Sequence, residues 1–219
     1  PDDFLATSGQ DAKVKVWSLK NLGEHKVLPV KEHVWGFEFS KTSNNLFGIM
    51  APSWMTASGV TIWNWPELTI HEVLDLPLDS SRVGIHPDGN IIAYSNNQDF
   101  SIELYDLNKQ KVIKRFEDHG DFIETLEFSP KGGKLITACL DETARIYDIK
   151  DLDSKPITLE YGFSYGGGVL FSPDNRYFLL RTTIGADAST AELYSTETGN
   201  IIGSCEHASP VRDAFFKED

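Results

Sequence analysis

One pentapeptide in the 219-residue chain has the residue types of a catalytic nucleophile, since GFSYG at residues 162–166 matches the G-x-S-x-G elbow of serine hydrolases. In such an elbow, a sharp turn from a strand into a helix exposes the serine beside a backbone N–H that can stabilise an oxyanion. The residues after Ser164 do not favour a helix, because Pro173, Asp174 and Asn175 separate two short apolar runs and predict a hairpin turn. We therefore interpret Ser164 as a structural residue.

Two other features could support chemistry, and both are weak. The run Gly166-Gly167-Gly168 could form an anion-binding nest, but neither a P-loop lysine nor a helical pattern follows it. The two cysteines, Cys139 and Cys205, have no CxxC spacing and no cluster of histidines beside them in the sequence. This pattern favours reduced thiols in a cytosolic or nuclear protein, without a metal or another cofactor.

Composition limits the classes of protein to which the chain can belong. It is 40% hydrophobic and 24% charged, which is typical of one globular domain with a real core. The formal net charge of −13, with no long basic run, disfavours binding to nucleic acid or to an anionic membrane surface. No apolar run is long enough to span a bilayer, so we expect no membrane insertion.

A proline turn recurs along the chain at a fixed interval. Phe128-Ser129-Pro130 and Phe171-Ser172-Pro173 are near copies, and Ile85-His86-Pro87 is related to both. The three prolines are spaced 43 residues apart. Each turn lies between short apolar runs, which indicates a hairpin of two strands.

A second marker recurs at a similar interval, an alternating strand that ends with an aromatic residue and a small polar or acidic one. The five copies are Val14–Ser18, Val60–Asn64, Ile102–Asp106, Ala144–Asp148 and Ala191–Ser195. Their aromatic residues are spaced 46, 42, 42 and 47 residues apart. Five units of about 44 residues, each with several short strands, predict an all-β fold built from radially repeated sheets.

These units resemble WD-repeat (Trp-Asp repeat) β-propeller blades, and the resemblance covers essentially the whole chain. It is most complete between Asp118 and Asp148. The resemblance implies blades of four antiparallel strands and a buried hydrogen-bond network of His119, Thr137 and Asp141, with Tyr147 in the place of the family's tryptophan. Such a network braces a turn and fixes strand register rather than performing catalysis. In the units of Trp63 and Tyr194, Ala57 and Ala188 stand where the aspartate is expected.

The resemblance also predicts how the chain is divided. The expected blades are residues 1–30 paired with 207–219, followed by 31–74, 75–117, 118–160 and 161–206. Closure of the first blade by both termini would assemble a second network from His207, Thr7, Asp11 and Trp17. Five units form either a small ring or part of a seven-bladed propeller, and we favour the second interpretation because the sequence begins at Pro1 rather than Met.

The function that the resemblance implies is that of a non-catalytic scaffold, which docks partner proteins or peptides on one propeller face. The acidic composition favours a basic or amphipathic partner segment. The alternatives are the propeller portion of a larger enzyme, such as a serine peptidase, and a nucleic-acid-binding propeller, which the charge disfavours. The residues expected on the binding loops are Trp35, Trp54, Gln10, Gln98, Phe122, Leu140, Phe163 and Tyr165.

Overall fold

The computed structural model describes residues 4–9, 11–21, 24–28, 30–40, 42–51, 57–77, 80–160, 168–184, 188–209, 211 and 214–217. For residues 182–184, 188 and 189 it describes the backbone only. The described residues contain no helix, and therefore none that is long and apolar enough to cross a bilayer.

The described residues form nineteen strands in five antiparallel sheets, each built from strands that are consecutive in the chain. The first sheet has three strands, β1 (Phe4–Ser8), β2 (Val14–Ser18) and β3 (His25–Leu28). The second has four, β4 (Val34–Ser40), β5 (Asn45–Met50), β6 (Gly59–Asn64) and β7 (Thr69–Asp75). Consecutive antiparallel strands joined by short turns are the arrangement expected of propeller blades.

The remaining three sheets have four strands each. The third contains β8 (Ser80–Ile85), β9 (Ile91–Asn96), β10 (Ile102–Asp106) and β11 (Lys111–Phe116). The fourth contains β12 (Ile123–Phe128), β13 (Lys134–Cys139), β14 (Thr143–Asp148) and β15 (Ile157–Glu160). The fifth contains β16 (Val169–Phe171), β17 (Tyr177–Ile184), β18 (Ala188–Ser195) and β19 (Ile201–His207). All five predicted aromatic-ended segments lie in strands, and the all-β prediction is confirmed.

The chain divides into two compact units, Pro1–Ser81 and Arg82–Asp219. In the first unit, the first and second sheets share a core of Val14, Val16, Leu28, Val34, Leu46, Met50, Trp63 and Leu68. In the second unit, the fourth sheet contributes to two cores, one shared with the third sheet and one with the fifth. The fourth sheet is therefore buried on both faces.

Strand β13 shows how the sequence produces a sheet with two buried faces. Successive side chains of a strand point to opposite faces. Leu135 and Cys139 belong to the core shared with the third sheet, whereas Ile136 and Ala138 belong to the core shared with the fifth. Full burial of an aliphatic side chain such as Leu135 stabilises the fold by about 1.5–3 kcal/mol. This double burial explains why residues 135–139 of β13 are apolar apart from Thr137.

Antiparallel pairing places three loops of the second unit at the same end of the third and fourth sheets. These loops are 97–101 between β9 and β10, 117–122 between β11 and β12, and 140–142 between β13 and β14. We call them together the carboxylate end. The proline turns of both sheets, 86–90 and 129–133, lie at the opposite end.

Candidate functional site

The polar side chains predicted around His119 meet on the face of the fourth sheet that packs toward the third. His119 enters from the loop 117–122, with its Nδ1 2.9 Å from Asp141 Oδ2 and its Nε2 2.7 Å from Thr137 Oγ1. The imidazole is fully buried, and Thr137 has no exposed surface. The structure thus brings together the three residues that the sequence placed in one network.

Asp141 joins two loops of the carboxylate end. Its Oδ1 accepts hydrogen bonds from the backbone N–H and hydroxyl of Thr143, and its Oδ2 accepts one from the N–H of Gly120. Burial alone would raise the pKa of Asp141, but the hydrogen bonds from Thr143, His119 and Gly120 outweigh it and hold that pKa well below its usual range. The carboxylate is therefore charged and engaged at neutral pH.

Arg145 is a member of this network that the sequence interpretation missed. Its guanidinium donates to Asp141 Oδ2 at 3.0 Å and to Thr143 Oγ1 at 2.6 Å, and it contacts His119 Nδ1. Burial is the main reason that the pKa of His119 is lowered, and the neighbouring Arg145 cation lowers it further. The structural register explains its participation, because Arg145 lies directly opposite Thr137 across the β13–β14 pair. We call His119, Thr137, Asp141, Thr143 and Arg145 the His119 network.

Tyr147 lies on the same face of the fourth sheet as this network. Its hydroxyl is buried close to Thr137 and Asp118. The phenol ring lies against Phe116, with ring centroids 4.2 Å apart. Tyr147 therefore contributes to the apolar core between the third and fourth sheets.

The His119 network has the residue types of a catalytic triad but not its accessibility. A triad needs a nucleophile that substrate can reach and a base that is free to take its proton. The Thr137 hydroxyl has no exposed surface, and His119 is enclosed by Thr137, Asp141 and Arg145. Such an arrangement stabilises the sheet and its loops.

The structure also places Cys139 beside this network, a proximity that the cysteine spacing did not indicate. The ligand atoms of His119, Cys139 and Asp141 all lie within 4.8 Å of one another. The Cys139 thiol donates to the Asp121 carbonyl and accepts from the Asp141 N–H. Burial raises the pKa of this thiol to about 12. Metal binding would therefore require deprotonation of a thiol whose pKa is raised. It would also displace existing hydrogen bonds, including those of the Arg145 cation.

In the first unit, part of the second predicted network is formed. Trp17 Nε1 donates to Thr7 Oγ1 at 2.9 Å, and Asp11 accepts from the N–H of Lys13 at 3.3 Å. His207 lies in the other compact unit, at the end of β19, and its predicted part in this network stays a prediction. Cys205, on the same strand as His207, is an exposed free thiol.

In the second sheet, the corresponding positions are apolar. Strand register places Gly48 where the fourth sheet has Thr137, and Trp63 where it has Tyr147. Trp63 is fully buried, and its Nε1 makes no hydrogen bond with another described residue. The indole fills the space that a side chain at position 48 would occupy, because a Cβ there would lie 2.7 Å from Trp63 Cζ3. This sheet replaces the polar network with apolar packing.

The predicted binding residues fall into three groups. Gln98, Phe122 and Leu140 lie on loops of the carboxylate end, where Gln98 and Phe122 are exposed and Leu140 is half-buried. Trp35 lies in strand β4 rather than on a loop; the register shifts between Val34 and Gly36, and this irregularity leaves the indole 59% exposed. The others lie outside the described residues, as does the elbow serine: Gln10, Trp54, Phe163, Tyr165 and Ser164.

Phe100 is a further, half-buried aromatic residue of the carboxylate end that the sequence interpretation did not include. Its ring makes an edge-to-face contact with Phe122, with centroids 5.3 Å apart. The sequence signal that could have identified Phe100 is its position, because it directly follows Asp99 just as Glu142 directly follows Asp141.

Comparisons with known proteins agree with this geometry. The family model of the WD domain, G-beta repeat (WD40) matches residues 110–148, which carry the His119 network. DDB1- and CUL4-associated factor 13 of Xenopus laevis is 22% identical over 92% of this chain and 44% of its own length. Protein groucho of Drosophila melanogaster is 25% identical over 69% of this chain and 21% of its own length.

A third relative, WD repeat-containing protein 36 of Homo sapiens, is 28% identical over 44% of this chain and 12% of its own length. The chain thus spans less than half the length of each of these curated relatives. Five sheets of consecutive antiparallel strands, a repeated aromatic-ended strand and these similarities lead to the same conclusion. The chain carries a WD40 repeat at residues 110–148, and its sheets and similarities support a WD-repeat β-propeller architecture.

Proposed function

We propose that this chain is a non-catalytic scaffold that docks partner proteins or peptides within a larger complex. The observation that carries the proposal is a contrast in exposure. The side chains with catalytic potential, His119 and Thr137, are buried in hydrogen bonds, whereas Phe122 and Trp35 are 42% and 59% exposed. Exposed aromatic residues on a rigid frame are frequent binding hot spots.

The names of the relatives support a role in protein association. One relative is named as a factor associated with DDB1 and CUL4, which describes binding to other proteins. For this chain, we propose protein partners with basic or amphipathic segments, because the net charge of −13 attracts cations and repels nucleic acid. Two free cysteines, one of them exposed, support a reducing cytosolic or nuclear location.

Affinity capture with quantitative mass spectrometry tests the proposal. Wild-type chain is compared with Phe122→Ala and Trp35→Ala variants, each first shown to be folded by its unfolding transition. Ile201→Ala is the matched control, because Ile201 is 54% exposed but lies on strand β19, away from the loops. We expect a discrete set of proteins to be retained by wild type and by the Ile201 control, and to be reduced with Phe122→Ala or Trp35→Ala. Capture of no protein by wild type would contradict the scaffold proposal.

The enzyme alternative has its own test. Incubation with a fluorophosphonate probe should leave the chain unlabelled, because the sequence around Ser164 favours a strand rather than the helix that a nucleophile elbow requires. Labelling that disappears in a Ser164→Ala variant would favour a hydrolase instead.

A further inference from the structure

An aromatic pair forms the apolar centre of the carboxylate end. Phe122 is 42% exposed, and the half-buried Phe100 packs against it edge to face. The backbone N–H of Leu140 donates to the Phe122 carbonyl at 3.0 Å, which fixes a third apolar residue beside the pair. The pair therefore presents a small, ordered apolar surface on three loops that are tied to one another.

The backbone of Phe100 is unfavourable for a bulky residue. Its φ is +60°, in the left-handed region that is strained for residues other than glycine. Ala12 and Glu142 occupy the corresponding position after Asp11 and Asp141, with φ of 53° and 64°, so this turn requires the conformation in each case. Glycine would satisfy the turn without strain. A phenylalanine at this position adds exposed aromatic surface at a cost to folding, and binding is a reason for its presence.

The loops that carry the aromatic pair are acidic. The loops 97–101, 117–122 and 140–142 contain no lysine or arginine. They contain six acidic residues: Asp99, Glu117, Asp118, Asp121, Asp141 and Glu142. Phe100 directly follows one of these acids, and Phe122 directly follows another.

Two arginines reach these loops from neighbouring strands, and both are already engaged. Arg115 pairs with Asp99, Glu103 and Glu117, and Arg145 pairs with Asp141. Asp118, Asp121 and Glu142 make no ion pair with another described residue. The carboxylate end therefore combines the apolar pair with negative charge that no described ion pair offsets.

We propose that the Phe100–Phe122 pair binds an extended segment of a partner protein in which one large apolar side chain is flanked by lysine or arginine. The apolar side chain packs on the two phenyl rings, and the flanking cations lie over Asp118, Asp121 and Glu142. Cations close to the rings gain a further attraction from the aromatic faces. This inference rests on the proposed scaffold function and specifies the chemistry of its partner.

Three labelled peptides in a Gly-Ser host test the proposed chemistry by fluorescence anisotropy. The first has a central Trp flanked on both sides by Lys, the second a central Ala flanked by Lys, and the third a central Trp flanked by Glu. We expect saturable binding of the first peptide with a dissociation constant below about 1 mM, and at least tenfold weaker binding of the other two. Equal binding of the Ala and Trp peptides with Lys flanks would overturn the role of the aromatic pair.

A Phe100→Gly variant separates binding from folding. It relieves the left-handed strain but removes one ring, so we expect a melting temperature close to that of wild type and at least fivefold weaker binding of the first peptide. Unchanged binding in both Phe100→Gly and Phe122→Ala would overturn the inference. Ile201→Ala is the matched apolar control and should leave binding unchanged, since Ile201 lies on β19.

The cation sites are tested with an Asp118→Asn, Glu142→Gln double variant. We expect weaker binding of the first peptide and a smaller loss of affinity as salt is raised. The matched control is Asp151→Asn, because Asp151 is exposed and lies between β14 and β15, at the opposite end of the same sheet. An equal effect of the control would show that only net charge matters and would overturn the inference. If no peptide binds while cellular partners are still captured, the inference fails and the scaffold proposal stands.

Discussion

The His119 imidazole lies between the Asp141 carboxylate and the Arg145 guanidinium, and this position explains its protonation state and its structural role. Asp141 and Arg145 each contact the same Nδ1, while Thr137 contacts Nε2. Burial and the Arg145 cation lower the pKa of the imidazole. The folded protein therefore holds His119 neutral at a pH where an unfolded chain begins to protonate it.

This pKa shift predicts a pH-dependent stability. The ordinary pKa of histidine is about 6.5, and below that pH the unfolded state binds a proton that folded His119 does not. The stability that neutral His119 contributes is therefore complete above that pH and is lost as pH falls. A His119→Gln variant should be less stable at pH 7.5 by about 1–3 kcal/mol, because it disrupts a buried network. It should also lose less stability than wild type between pH 7.5 and 5.5. Urea unfolding at both pH values measures the difference, and equal losses in the two proteins would contradict the assignment.

The sequence predicted part of the His119 network. The spacing of the best repeat was sufficient to place His119, Thr137 and Asp141 together. It could not reveal Arg145 or Cys139, because their participation depends on strand register and on which face each side chain points to. Tyr147 was predicted in the place of the family's tryptophan, and the sequence could not show that its ring packs on Phe116.

The five sheets share one strand order but fill their interiors differently. The fourth sheet uses the polar His119 network, whereas the second uses the indole of Trp63 next to Gly48. The repeated aromatic-ended strands predicted the third strand of each four-stranded sheet and the second strand of the three-stranded first sheet, since that pattern depends only on local alternation. The replacement of Thr137 by a glycine in the second sheet is visible only once the register is known.

This packing predicts that Gly48 cannot accept a side chain. A Gly48→Ala variant should be destabilised by about 1–3 kcal/mol, because its Cβ would overlap the Trp63 ring. Gly36→Ala, on the adjacent strand β4, is the matched control, since its Cβ would lie 3.5 Å from Ile49 Cδ1 in ordinary contact. Chemical unfolding of both variants measures the effect. Similar stabilities would show that the indole has room to move.

The proline turns of neighbouring sheets are also linked to each other. His86 Nε2 lies 3.0 Å from the Gly132 carbonyl, and the Lys131 N–H donates to Asn175 Oδ1 at 3.0 Å. These contacts connect the turns of the third, fourth and fifth sheets at the end opposite the carboxylate end. The periodic prolines predicted the turns but not the contacts between them.

Gly132 gives a sharp test of this link. Its φ is +71°, and a Cβ there would overlap the His86 imidazole, so Gly132→Ala should cost about 2 kcal/mol or more. Gly133→Ala should change stability by no more than about 0.5 kcal/mol, because the nearest atom to its Cβ would be Lys150 Cε at 3.8 Å. Thermal unfolding distinguishes the two neighbouring substitutions, and equal effects would argue against the contact with His86.

Across the whole chain, negative charge exceeds positive charge by 13. Self-repulsion of this size opposes the compact state, and salt screens it. The melting temperature should therefore rise when sodium chloride is increased from about 0.05 to 0.5 M. A fall would show that the intramolecular ion pairs of Arg115 and Arg145 outweigh the general repulsion.

We propose a division of roles in which the buried polar network maintains the structure and exposed loop residues bind partners. The most direct test is to measure unfolding and partner capture together for wild type, His119→Gln and Phe122→Ala, at a temperature where all three are folded. We predict that His119→Gln lowers stability but captures the same proteins, whereas Phe122→Ala retains stability and loses them. Loss of capture by folded His119→Gln, together with unchanged capture by Phe122→Ala, would contradict this division of roles between the buried network and the exposed loops.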